Sequence, residues 1–509
     1  MFDQILNGAL VAFQLQHILL AFGGAMLGII LGAMPGVSAT LGIALLVPFT
    51  FGMSAVSGLI FLGAVYCGAI YGGSIVGILI NVPGTPAAVA AMLDGYEMTK
   101  QGKGGLALGL DISASFVGGQ VSTVFLLFGA PLVAMVALEI RSAEFFWIVI
   151  FAMSTIGAIG AGSPIKGLMS GILGLVIGSA GMHPMTGTLR YSFSQPALYE
   201  GVPVIVALVG LFSISQVLML AEGKGMDTQL KIPRIGKLWP GWKTLWSLKK
   251  CMLRASLVGT TVGVIPGAGA DIAAFIGRSE ARRVSKEPEK FGKGSMEGVV
   301  AAEAANNGVV GGSLIPMLTL GIPGNAVTAA LLGGLLIHGL IPGPHLFSDA
   351  PDVLYPFIFS LFLANLFFAV GAFTGLKWVA KVVLVPQGII APMVTALAVI
   401  GAFSYRNILF DIGITLLLGL IGYILRKAKF PLAPIILGII LGPLAEENLD
   451  RVVTLAGAHG TSVFGFFFSR TLTLVLIVLT FAAIIYSFYR DHRSRKHLKE
   501  AMAGRQKEQ

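Results

Sequence analysis

Charge is scarce in this sequence. Only 11% of its 509 residues are Asp, Glu, Lys or Arg, against 55% hydrophobic. Soluble domains carry about a quarter charged residues, so too little polar surface exists to cover a water-soluble globule of this size. Cysteine is nearly absent as well. Cys67 and Cys251 lie in or beside apolar segments, and two such residues build neither a disulfide framework nor a zinc site. No nucleotide-binding P-loop and no nucleophile elbow occurs, which argues against an ATP-driven pump and against hydrolytic chemistry. The N-terminus lacks a basic region and a cleavage site, so its first apolar segment is expected to remain as a membrane helix. No Lys or Arg precedes Lys100.

Apolar segments are abundant. A bilayer core needs about 20 apolar residues per helix, and the chain offers ten to twelve such spans, the runs 54–80 and 323–341 among them, whereas the run 252–265 is too short for one. Others, such as 37–51, 83–95 and 267–277, are only half a membrane long. The 68 glycines have no collagen-like period and point to close helix packing and broken helices. The expected fold is an all-α integral membrane protein with broken or re-entrant helices. Most basic residues fall at Lys100 and Lys103, in 222–250, in 278–296, at Arg426–Lys429 and in 490–509. The positive-inside rule places all of these in the cytoplasm. The net charge of +10 thus reads as topology, and no nucleic acid partner is expected.

The chain repeats itself. GIILGAMPGVSAT (28–40) matches GTTVGVIPGAGAD (259–271), and GGSIVGILINVPGTP (72–86) matches GGSLIPMLTLGIPGN (311–325) in the same order. After the first Pro-Gly, half one has an uncharged turn at Phe51–Ser54, whereas half two has Arg278, Arg282, Arg283 and Lys286. After the second Pro-Gly the pattern swaps: half one has Lys100 and Lys103, and half two has no Lys or Arg from Gly294 to Leu376. Equivalent loops with opposite charge signals mark an inverted-topology repeat. The expected division is a first half (1–221), a basic linker (222–250), a second half with an extra C-terminal helix (251–489) and a basic tail (490–509).

Proline removes a backbone donor and glycine admits unusual conformations, so each Pro-Gly should unwind a membrane helix. Unwound backbone at bilayer depth must be buried by protein or line a wet cavity. There, half-helix N-termini can hold a carboxylate and free carbonyls a cation. The candidate substrate-binding residues are Pro35, Gly36, Ser38, Pro83, Gly84, Thr85, Pro323, Gly324 and Asn325. The candidate ion-binding residues are Pro266, Gly267, Gly269, Asp271, Glu303, Asn306 and Asn307, the last three lying near one helical face in a stretch without basic residues. Asp111, near a segment start, reads as interfacial. His183, His338, His345 and His459 have no metal spacing and read as loop packing. Gly28-x3-Gly32 reads as a helix contact.

At MPGVSA (34–39), GGSIVGILINVPGTP (72–86), GVIPGAGADIAAFIG (263–277), EGVVAAEAANN (297–307) and GGSLIPMLTLGIPG (311–324) the sequence resembles the large membrane subunit of the tripartite tricarboxylate transporters. Ala302 and Asn325 depart from the family pattern, where proline and serine are expected. The resemblance implies a multi-pass protein of the bacterial inner membrane that imports small di- or tricarboxylates as a secondary transporter. It implies two partners, a periplasmic solute-binding protein and a small four-helix membrane subunit. It implies no cofactor beyond a coupling ion, sodium or alternatively the proton. The alternatives are a passive anion channel and a membrane-embedded enzyme.

Overall fold

The computed structural model describes residues 2–489 apart from 35, 83, 160–162, 223–234, 268, 383–384, 386 and 486–487. Residues 223–234 of the expected linker and the whole expected tail lie outside the described residues. Among the described residues, strand is confined to Gly181–Met182 paired antiparallel with Leu189–Arg190. The chain is an all-α membrane protein. Seven described helices are long and apolar enough to cross a bilayer, and five further apolar helices have 10–17 residues. This is fewer full-length apolar helices than the ten to twelve expected. Segment 323–341, for example, gives only the 12-residue helix Ala326–Ile337. Three other long helices, of 23, 25 and 26 residues, carry too much polarity to register as simple apolar spans.

Two compact units divide the chain: Met1–Ala137 with Ile205–Tyr423, and Leu138–Val204 with Ile424–Gln509. Both pairs of repeated motifs lie in the first. In the second, Gly174 lies against the Ile435 carbonyl, which lets helices Pro164–Gly178 and Ala433–Ala458 approach closely. Arg190 grips Glu446 with both guanidinium nitrogens, and His183 stands 3.3 Å from Asp450. Buried Glu144 accepts from Arg470 (2.8 Å) and Thr473 (2.7 Å). These bonds satisfy charges that would be costly if left alone in an apolar setting.

The first unit contains two five-helix sets beside several further helices. The first is α1 (Leu15–Ala33), α2 (Ala39–Leu46), α3 (Ala55–Ile80), α4 (Ala88–Lys100) and α5 (Gly104–Ala137). The second is α6 (Trp242–Val264), α7 (Gly269–Val284), α8 (Met296–Leu320), α9 (Ala326–Ile337) and α10 (Pro351–Val382). Each set contains a long pair held by glycine. Gly28 and Gly32 of α1 lie against the carbonyls of Val65 and Ala69 on α3, as Gly259 and Gly263 of α6 lie against those of Ala305 and Val309 on α8. The Gly28-x3-Gly32 motif is therefore a helix contact. Helix α6 starts about ten residues earlier than the apolar run 252–265 suggests, because its first turns carry Lys243, Lys249 and Lys250.

Both sets share the same breaks. Between α1 and α2, Gly36 has φ +84°; between α6 and α7, Gly267 has φ +80°. Helix α3 ends in a left-handed residue, Asn81, and α8 ends in another, Gly321. The four short helices have 8, 13, 16 and 12 residues. At 1.5 Å per residue they span about 12–24 Å, short of the ~30 Å hydrocarbon core.

Candidate functional site

Backbone bonds hold the breaks in place. Gly267 N donates to Gly324 O across 2.9 Å, and Gly84 N donates to Gly73 O across 3.1 Å. A Cβ at Gly84 would come within 2.7 Å of Gly32 O, and one at Gly324 within 2.7 Å of Gly263 O. Those contacts are equivalent in the two sets, and both demand glycine. Pro35 and Pro83 lie outside the described residues. Pro266 and Pro323 stand at the two breaks of the second set.

Ser38 and Asn325 cap the short helices that follow them, and Thr85 holds the first amide of α4. Ser38 Oγ accepts from Leu41 N (3.2 Å), Thr85 Oγ1 from Ala88 N (3.3 Å) and Asn325 Oδ1 from Thr328 N (2.8 Å). Asn325 forms a full capping box with Thr328, which fixes the start of α9. Its amide nitrogen also donates to Tyr66 Oη in α3 (3.0 Å), which lies 3.0 Å from Ser313 Oγ in α8. A Cβ on Gly269 would lie 3.7 Å from that of Asn325, and Asp271 lies against the backbone of Ala87. The starts of α4, α7 and α9 therefore meet. Ser38 is half-buried at the start of α2, and its described bond is to its own helix.

The helix ends pair off as well. Ala87, just before α4, and Ala90 and Ala91 within it pack on Ala270, Ala273 and Ala274 of α7. Arg278 of α7 binds Asp94 of α4 at 2.7 and 2.9 Å, and the other Asp94 oxygen takes Gly292 N (2.6 Å) and Ser295 N (3.0 Å). Gln101, just past α4, donates to Lys293 O (2.9 Å). In the other pair, His338 after α9 lies 3.2 Å from Thr50 after α2. The Lys100 and Arg282 loops thus neighbour each other, as do the two uncharged turns.

The ion-binding candidates fall in two places. Gly267, Gly269 and Asp271 belong to the break before α7, and Asp271 is exposed at an open cavity of about 610 Å³ lined also by Ile272, Phe275 and Ser279. Glu303, Asn306 and Asn307 are buried in the middle of α8. Asn306 Nδ2 donates to Glu303 Oε2 (3.3 Å), Asn307 Nδ2 to Glu303 O (3.2 Å), and Ser115 of α5 donates to Glu303 Oε2 (3.3 Å). Asp111 corrects the sequence reading. It is fully buried, not interfacial, and it faces Glu303. The overlooked signal is that Asp111 is an acid with no Lys or Arg between 104 and 140. Tyr66 and Ser74 were also missed, since hydroxyls on an apolar helix have no distinctive spacing.

The model of the tripartite tricarboxylate transporter TctA family matches residues 18–437. The chain belongs to the TctA family. A 52.8 kDa protein of the TAR-I ttuC' 3' region of Agrobacterium vitis is 32% identical over 499 residues, covering 97% of this chain and 98% of that protein. A protein of the TAR-II ttuC' 3' region of the same organism is 32% identical over 238 residues, 47% of this chain and 97% of its own length. No solved structure matches. This TctA-family chain is a membrane permease subunit of a tricarboxylate transporter.

Proposed function

We propose that this chain imports small di- and tricarboxylates by alternating access, driven by sodium and fed by a periplasmic solute-binding protein. It works in the bacterial inner membrane beside a small four-helix subunit, with its C-terminus in the cytoplasm. Its two five-helix sets are inverted-topology repeats. The observation that carries this reading is the junction where α4, α7 and α9 begin, with Asn325 bonded to Tyr66 at 3.0 Å. Helix N-termini offer unpaired N–H groups and positive dipole ends to a carboxylate. Thr85, Gly324, Asn325 and, from α2, Ser38 line the substrate path. Gly267, Gly269, Asp271, Glu303, Asn306 and Asn307 serve the coupling ion. The end-to-end pairing of α4 with α7 and of α2 with α9 supports the inverted arrangement, because it puts like-charged loops together.

Proteoliposomes holding the permease and its small subunit, supplied with the cognate binding protein loaded with labelled carboxylate, test the proposal. An inward sodium gradient should drive accumulation above the external concentration. A passive anion channel would equilibrate the label and ignore the gradient, and that result would replace the proposal.

A further inference from the structure

Six buried side chains from α3, α5 and α8 form an oxygen-rich cage: Tyr71, Ser74, Asp111, Ser115, Glu303 and Asn306. All but Ser115 leave lone pairs or hydroxyls unused. Tyr71 Oη, Ser74 Oγ, both Asp111 oxygens, Glu303 Oε1 and Asn306 Oδ1 have no hydrogen-bond partner among the described residues. Tyr71 stands within electrostatic reach of both Asp111 and Glu303, and Glu303 also faces Ser74. Ser115 Oγ and Asn306 Nδ2 both donate to Glu303 Oε2, which leaves Glu303 Oε1 and Asn306 Oδ1 without a partner. Asp111, Glu303, Ser74 and Ser115 are all 0% exposed.

Such a cluster is expensive as it stands. An unsatisfied buried polar group destabilises the fold, and more so if it is charged. Two carboxylates brought together in an apolar interior also repel. No ion pair to Lys, Arg or His relieves either acid among the described residues, and the flanking stretches 104–140 and 294–376 contain no Lys or Arg. The surplus is of acceptors, with only two free hydroxyls to donate. A proton would join one pair of oxygens and leave the others orphaned. A hard cation with several oxygen ligands satisfies most of them at once, and carboxylate, amide and hydroxyl oxygens are what such cations take.

We propose that this cage binds a sodium ion, with Asp111 as its charge-bearing ligand. The assignment rests on the transport reading above and gives it a specific coupling site, away from Asp271. The link to the substrate junction is α3. It carries Tyr71 and Ser74 into the cage and Tyr66 to Asn325 at 3.0 Å. Filling the cage draws α3, α5 and α8 together and so sets the position of Tyr66 against the start of α9.

The test is thermal unfolding of the purified full chain in detergent, titrated with NaCl while choline chloride holds ionic strength constant. Sodium should raise the midpoint of the wild type in a saturable way, and potassium should not. Asp111→Asn should weaken the apparent sodium affinity at least tenfold, and Ser74→Ala, which removes one oxygen and no charge, by a smaller factor. Exposed Asp352→Asn should respond like the wild type. If Asp111→Asn fails to fold, Ser74→Ala and direct binding of radioactive sodium to the wild type still decide. The proposal is overturned by a wild type whose midpoint ignores sodium, by one that responds only to pH, which would make the ligand a proton, or by cage variants with unchanged sodium affinity. Because the assay involves no transport, saturable sodium binding without carboxylate uptake would sink the functional reading while leaving the cage intact.

Discussion

Asn325 joins the two repeats through a single bond, its Nδ2 donating to the Tyr66 hydroxyl at 3.0 Å. The same side chain caps α9 through its Oδ1. One residue thus begins a short helix of the second set and anchors it to a long helix of the first.

Cap and tether can be separated. Serine at 325 still caps the helix, since Ser and Asn are comparable N-caps, but it is too short to hold Tyr66. Asn325→Ser should keep uptake and change KM, whereas Asn325→Ala should lose about 1 kcal/mol of cap stability and lower the maximal rate as well. Tyr66→Phe should mimic the serine variant. Initial uptake rates against substrate concentration check this, and a Tyr66→Phe variant with wild-type KM would show that the tether is idle.

The glycines at the second breaks are required by space. Their Cβ atoms would come within 2.7 Å of the carbonyls of Gly32 and Gly263, a backbone clash with no flexible side chain to yield. Gly84→Ala and Gly324→Ala should each abolish uptake while the protein still reaches the membrane in near-normal amount. Immunoblots of membrane fractions beside uptake assays measure both. Undiminished uptake in either variant would mean that the break tolerates a shift.

Asp94 is fully buried and holds Arg278 together with two backbone amides of the loop before α8. Asp94→Ala should destabilise the purified protein by about 3–5 kcal/mol, the usual cost of orphaning one partner of a buried ion pair. Adding Arg278→Met should recover part of that loss. Thermal unfolding of the single and double variants measures the coupling.

Much of the frame was legible because its signals are local. The short spans 37–51, 83–95 and 267–277 appear as α2, α4 and α7, since Pro-Gly interrupts any helix whatever surrounds it. The run 54–80 became α3 almost residue for residue. The site was less legible. Asp111 sits only seven residues into α5, where an acid near a membrane surface is ordinary, and only the packing of α5 on α8 sinks it beside Glu303. Glu303 and Asp271 are both ion-binding candidates from the sequence, yet one is inside α8 and the other is exposed on α7. The second compact unit left no comparable motif, and its Arg190–Glu446 pair joins residues too far apart in sequence to be read as partners.

The central claim is that the two sets cross the membrane in opposite directions. Single cysteines at positions 52, 100, 282 and 339, introduced after replacing Cys67 and Cys251, can be labelled with an impermeant maleimide in right-side-out and inverted vesicles. Positions 100 and 282 should label together from the cytoplasmic side, and 52 and 339 together from the other. Labelling of 100 and 282 from opposite sides would contradict the inverted arrangement, and with it the shared site at the helix breaks.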